Sequence, residues 1–263
     1  MEETPLFGGW VNQAMRVGNT VRRNTGPWTP AVHALLKHLE AAGFQESPRV
    51  LGFDDKGREV LRYIEGTAAL RPWPAELLQD RGLAALARML RRYHDAVATF
   101  VPAAGAVWRA GVVPLRAGEV IRHGDFGPWN TIWREGRPVG LIDWDFAEPG
   151  PTVLDVGQLA WFGIPLSTLE GVREAGFGSP PDLRHRLDVI CEGYADFRPR
   201  EVLDAVAEVQ RIDLQRLREW GTVGIEPWAG FLPLGEVERI EADMAWLREN
   251  RTLVGSWVSD EIC

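Results

Sequence analysis

Between Thr29 and Gly43 the apolar residues Val32, Leu35, Leu36 and Leu39 recur at intervals of three and four, which places them on one face of a helix. Thr29-Pro30 supplies the start, a capping residue followed by proline at the first helical position, and Gly43 supplies the stop, so a helix is predicted over 31–42. On either side the pattern shortens. Val11–Val17 and Thr20–Arg23 read as strands around the turn-forming pair Gly18-Asn19. Pro48–Phe53 and Glu59–Ile64 read as strands joined by Asp54-Asp55-Lys56-Gly57, a strong hairpin signal. Residues 1–65 thus predict strand, strand, helix, strand, strand, a small α+β unit. A stretch of small residues and proline from Glu65-Gly66 to Pro74 suits a connector. Beyond it helical spacing takes over. Leu77, Leu78, Leu83, Leu86, Leu90 and Tyr93 predict a helix over 75–99, and Pro181–Asp196, Pro199–Trp220 and Gly235–Asn250 predict more. One island, Val120–Asp145, breaks the helical run with three β-type pieces: Val120–Arg122, Thr131–Trp133 and Val139–Ile142. Polar residues cluster at their ends, which makes the island the place to look for chemistry.

Composition narrows the class. At 263 residues the chain is long enough for about two domains or one two-lobed domain, and needs no metal or disulfide to fold. No run of about 18 apolar residues is available for a membrane helix. The opening Met-Glu-Glu-Thr-Pro lacks the basic-then-apolar layout of a signal peptide. Of the two cysteines, Cys191 and Cys263, one ends the chain, which argues against a disulfide framework and for a cytoplasmic protein. A formal charge of −8 opposes nucleic acid and anionic membranes as partners and favours cationic ligands. Only two of the 29 basic side chains are lysines, Lys37 and Lys56.

The island reads His123-Gly124-Asp125-Phe126-Gly127-Pro128-Trp129-Asn130, then Leu141-Ile142-Asp143-Trp144-Asp145. Phosphoryl transfer needs a base beside the acceptor hydroxyl and a divalent cation against the phosphate charge. Mg²⁺ takes oxygen ligands, usually one or two carboxylates with phosphate oxygens and water. Asp125 is placed to accept the hydroxyl proton, and Asn130 and Asp143 to hold the metal.

These two motifs resemble those of the aminoglycoside phosphotransferase family, small-molecule kinases with a protein-kinase-like fold. The family's His-x-Asp-x-x-x-x-Asn loop matches His123, Asp125 and Asn130 without a gap, and its hydrophobic-Ile-Asp-Trp segment matches Leu141–Trp144. The resemblance implies a two-lobed α+β fold: a small, mainly antiparallel β lobe with one helix (1–65) that binds nucleotide, and a larger, mostly helical lobe (66–263) with catalytic loop and acceptor site. It implies Mg²⁺, ATP or GTP as co-substrate, and a small-molecule hydroxyl acceptor, aminoglycoside-like or otherwise cationic. Antibiotic resistance is among the roles it implies. It makes His123 an orienting member of the catalytic loop and Asp155, in Gly150–Asp155, a brace for it. Leu6–Asn12 resembles the family's nucleotide loop, and Leu61–Gly66 its hinge, with Val21, Tyr63 and Ile64 near the purine. The family's strand lysine is missing. Arg23 is the better replacement, on the same strand face as Val21, with Arg22 the competitor. Val32 and His33 stand where the helix would offer a paired glutamate. For the acceptor, Asp145, Glu192, Asp196 and Glu226 are candidate carboxylates, and Trp220 and Trp228 are candidate aromatic neighbours.

Three other readings compete. Asp143 and Asp145 also fit the start of the hydrolase pattern Asp-x-Asp-x-Thr/Val, but Ala147 occupies its last position. A protein kinase would carry an Ala-Pro-Glu segment and a longer stretch after Asp143. A kinase-like protein that binds nucleotide or ligand without transferring phosphate is the main alternative, since lysine and helix glutamate are both replaced.

Overall fold

The computed structural model describes residues 3–6 and 14–255. Apart from Leu6, the expected nucleotide loop lies outside them, as do the start of the first predicted strand and Cys263. The N-terminal strands form a five-stranded antiparallel sheet: β1 (Thr4–Pro5), β2 (Met15–Val17), β3 (Thr20–Arg23), β4 (Val50–Phe53) and β5 (Glu59–Arg62), in the order β1-β2-β3-β5-β4. Both predicted hairpins are present. The second is closed by Asp54, whose Oδ1 accepts from the backbone N–H groups of Lys56 and Arg58 at 3.0 and 2.9 Å. Between β3 and β4 runs α1 (Thr29–Ala41), with Val32, Leu35, Leu36 and Leu39 at 2% exposure or less. Each such burial contributes roughly 1.5–3 kcal/mol, so this face fixes the helix.

β6 (Thr67–Ala68) follows. The helix predicted over 75–99 is instead two, α2 (Ala75–Leu78) and α3 (Asp80–Val97), because Gln79 is extended at φ −96°, ψ 151°. Gly82 makes this break possible. A Cβ there would lie 2.0 Å from the Glu76 carbonyl oxygen. Next come β7 (Val107–Trp108), β8 (Gly111–Val112), β9 (Val120–Arg122), β10 (Thr131–Arg134), β11 (Arg137–Leu141) and β12 (Glu148–Gly150). β10 pairs antiparallel with β11 and with β6, and β9 pairs with β12.

The rest of the chain is helical: α4 (Val153–Gly163), α5 (Leu169–Glu174), α6 (Leu183–Tyr194), α7 (Pro199–Arg216) followed by a π turn, α8 (Trp228–Phe231) and α9 (Glu236–Gly255). α4 escapes the periodicity argument because it has no polar stripe: Val156, Leu159, Ala160, Trp161 and Phe162 are all buried.

Two compact units result, one of residues 1–70 and 88–155, the other of 71–87 and 156–263. The hydropathy pattern alone divides the chain at 65/66; the packing groups the island strands with the N-terminal sheet. In the second unit Arg186 of α6 donates to the carbonyls of Leu77, Leu78 and Gly163 at 3.1, 3.0 and 2.9 Å. Gly157 of α4 leaves room for the backbone of Ala205 in α7, and the Trp161 indole N–H donates to buried Asp243 at 2.8 Å.

Candidate active site

The chain leaves β9 at Arg122 and enters a loop held from beneath by one carboxylate. Asp155 is fully buried and accepts from the backbone N–H of His123 (2.7 Å) and Gly124 (3.0 Å). His94 Nε2 lies 3.1 Å from the same carboxylate and Arg122 Nη1 3.6 Å. Burial opposes ionisation of Asp155, but the hydrogen bond to His94 and the neighbouring positive charge of Arg122 outweigh it and lower its pKa to about 2. Gly124 has φ +79°, and a Cβ on it would sit 2.0 Å from the Phe146 carbonyl oxygen, so no other residue fits the turn.

His123 is buried and bonded at both ring nitrogens. Its Nε2 lies 3.0 Å from the carbonyl of Ile142, and its Nδ1 accepts from the Asp125 N–H at 3.3 Å. These contacts require the neutral tautomer with the proton on Nε2, and burial lowers the pKa to about 4. His123 therefore joins the loop to the strand end that carries Asp143 and holds both in place.

Asp125 is half-buried. Its Oδ2 accepts from Asn130 Nδ2 at 2.7 Å, and the Trp129 indole nitrogen lies 3.4 Å from the same oxygen. Asn130 Nδ2 also donates to the Asp125 carbonyl at 2.9 Å. The amide nitrogen of Asn130 is thus committed to Asp125, which leaves its Oδ1 as the end that can face a cation. Gly127 makes space for Trp129: a Cβ there would lie 2.2 Å from the indole ring. Strand pairing delivers the next aspartate. Thr131 pairs with Leu141, the Ile142 N–H donates to the Asn130 carbonyl at 2.9 Å, and Asp143 follows in a left-handed conformation at φ 61°.

Arg23 meets this strand end. Its Nη1 donates to Asp143 Oδ1 at 2.9 Å, its Nη2 to Asp145 Oδ1 at 2.5 Å, and its Nε to Glu59 Oε1 at 2.8 Å. Although buried, the guanidinium stays charged because Asp145, Asp143 and Glu59 surround it. Arg22, one residue back, faces the other way and lies 3.7 Å from Asp54. Of the two arginines, Arg23 is therefore the one at the Asp143 cluster. Arg109 adds a second cation, 3.7 Å from Asp145 and stacked over Trp28 with its Cζ 4.2 Å from the ring centroid.

The remaining expected residues fall in several places. Val21 is half-buried in β3, opposite Leu61. Tyr63 follows β5, its ring under Arg16 at 3.8 Å, and Ile64 packs where a side chain on Gly140 of β11 would reach it. Asp145, expected as a candidate carboxylate for the acceptor, is at 3% exposure and accepts from Arg23. Glu192 and Asp196 are exposed on and just beyond α6. Glu226 accepts from the Gly230 N–H of α8 at 3.2 Å, and Trp220 packs edge-on against Trp228 at 4.5 Å. Glu59, Arg109 and Trp129 escaped the sequence reading. Glu59 alone had a usable signal, since a charged residue next to a turn at the start of a strand can face another strand's arginine across the pair.

The donors fit a divalent cation on chemical grounds. Glu59, Asp143 and Asp145 bring three carboxylates against two guanidinium groups, which leaves an excess of negative charge. Burial, with a smaller contribution from the neighbouring Asp145 charge, raises the Asp143 pKa against the pull of Arg23. Among the described residues no three His, Cys, Asp or Glu side chains converge as a metal cage. Mg²⁺ does not require one, because one carboxylate and one amide oxygen with phosphate and water ligands suffice.

An antiparallel sheet carrying a buried arginine, a loop with aspartate and asparagine five positions apart, and an aspartate at the next strand end define a kinase-like phosphotransferase fold. Solved structures of other proteins share it. A choline/ethanolamine kinase family protein from Mesorhizobium loti is 19% identical at a TM-score of 0.60, covering 97% of this chain and 92% of its own. Aminoglycoside 2'-phosphotransferase-IIIa, solved as its GDP complex, is 16% identical at a TM-score of 0.58, covering 93% of each chain. Residues 106–189, which hold His123, Asp125, Asn130, Asp143 and Asp155, match the phosphotransferase enzyme family. The trifolitoxin immunity protein of Rhizobium leguminosarum bv. trifolii is 39% identical over 198 residues, 73% of this chain and 74% of that protein. The chain belongs to the phosphotransferase enzyme family, as the motif resemblance implied. Among the described residues no helix is long and apolar enough to cross a membrane.

Proposed function

We propose that this protein transfers the γ-phosphoryl group of ATP or GTP to a hydroxyl of a small molecule. Asp125 accepts the hydroxyl proton, the acceptor oxygen bonds to the γ-phosphorus, and the bond from phosphorus to the bridging oxygen breaks to release the nucleoside diphosphate. Asn130 Oδ1 and Asp143 would hold Mg²⁺, which when bound neutralises phosphate charge. His123 and Asp155 keep the loop in shape. Arg23 has five N–H donors, of which three are in the bonds to Glu59, Asp143 and Asp145, leaving one on each terminal nitrogen for phosphate. The observation that carries the reading is the link from Asp125 through Asn130 to the Asp143 strand end. A relative named for immunity to a toxin supports a protective role, in which the acceptor is a toxic compound. Its class is aminoglycoside-like or otherwise cationic, in keeping with the chain's net charge of −8.

The test is phosphate transfer from ATP and GTP with Mg²⁺ across aminoglycosides, macrolides and amino alcohols, run beside Asp125→Asn. Acceptor-dependent turnover that drops about 10²–10⁴-fold in the variant is expected. Turnover unchanged in Asp125→Asn would remove Asp125 from the chemistry. The second reading, a kinase-like binder without transfer, draws on the Arg23 bond to Asp143, which occupies a proposed metal ligand. Nucleotide binding without turnover on every acceptor would favour it.

A further inference from the structure

In the kinase pattern a strand lysine is held by a glutamate from the helix. The only acid within α1 here is Glu40, exposed near its C-terminal end and 3.6 Å from Arg49. The structure offers a different holder. Arg23 and Glu59 stand directly opposite each other in the β3–β5 register, and Glu59 Oε1 takes the Arg23 Nε. Its other oxygen, Oε2, lies 2.8 Å from His33 Nε2, and His33 comes from α1 at the position expected for the glutamate. All three are buried, at 8%, 2% and 7% exposure for Arg23, Glu59 and His33.

We propose that Glu59 and His33 are positioning residues that together replace the helix glutamate, holding the Arg23 guanidinium for the nucleotide's phosphates. The inference rests on the phosphoryl-transfer reading above. A bond at Nε fixes the plane of a guanidinium, and with it the directions of both terminal nitrogens. The terminal nitrogens then face Asp143 and Asp145, while their second N–H groups keep a set direction. His33 matters because Glu59 needs both oxygens satisfied to keep that orientation: without His33, Oε2 is a buried carboxylate oxygen that has lost its partner. The helix thus still senses the strand cation, but through an imidazole and a carboxylate supplied by the neighbouring strand.

The test compares wild type, His33→Phe and His33→Gln. Phenylalanine keeps a ring of similar size beside Phe53, whose centroid lies 5.3 Å from that of His33, and glutamine keeps an N–H donor for Glu59. Binding of a fluorescent ATP analogue and a GTP analogue is titrated with Mg²⁺, transfer kinetics are run on any acceptor found, and melting temperature is recorded. His33→Phe should weaken nucleotide binding about tenfold, the size of one lost bond to a charged group, while leaving the acceptor KM within about twofold. His33→Gln should return binding to within about threefold of wild type. If wild type binds nucleotide and a folded His33→Phe binds it equally well, or if folded His33→Gln gives no rescue, the positioning role is refuted and the phosphoryl-transfer reading stands. If wild type binds neither analogue, that reading fails and the inference with it. Should His33→Phe not fold, Glu59→Gln, which keeps the side-chain shape and removes the charge, carries the same expectation.

Discussion

Replacing Asp155 with asparagine should loosen the His123–Asn130 loop and destabilise the protein together. The carboxylate is fully buried and meets two backbone N–H groups, His94 and Arg122. An asparagine keeps one acceptor oxygen and turns an NH₂ group toward at least one donor, leaving that pair unmatched. The folded protein holds this carboxyl at about 2, against 3.8 for an ordinary aspartate, a difference worth about 2 kcal/mol of folding stability at neutral pH. The mismatched donors add to this, so Asp155→Asn should cost about 2–4 kcal/mol. The pKa is depressed on folding, so this stabilisation is complete above the unfolded value near 4 and fades as pH falls toward about 2. Urea unfolding of wild type and variant at neutral pH and at steps below pH 4 measures both. A gap of the expected size that narrows in acid supports the account. An unfolding midpoint unchanged by the substitution, or a gap of constant size from neutral pH down to pH 2, would refute it.

His123 adds acid sensitivity of a different origin. Burial lowers its pKa from 6.5 to about 4, so protons bind the unfolded chain first, and stability should fall by about 3 kcal/mol as pH drops from 6.5 to 4. NMR titration of the ring should show it neutral at pH 6, and a ring that titrates near 6.5 would contradict the burial argument. Gly124→Ala should destabilise by about 2–4 kcal/mol and abolish transfer, since a Cβ would meet the Phe146 carbonyl at 2.0 Å in a backbone with φ +79°. Chemical unfolding of this variant within about 0.5 kcal/mol of wild type would show that the turn yields easily.

The His123–Asn130 loop and the Leu141–Trp144 strand end were legible as linked motifs because spacing along the chain is all that such a match requires. The N-terminal strands and α1 were legible too, since apolar periodicity and turn residues are local properties. What escaped was whatever depends on contacts distant in sequence. Helix α4 hid because it is buried all round, and the split between α2 and α3 hid because it depends on Gly82 meeting Glu76. In the site, the alternation of a strand favoured Arg23 over its competitor Arg22 as the strand cation. It was the β3–β5 register and the approach of the Asp143 strand end that set Arg23 between Glu59, Asp143 and Asp145. Residue type and spacing determine which groups are available for chemistry. Which of them meet is decided by packing, because a charge is buried only where the fold brings its counter-charge within hydrogen-bond reach.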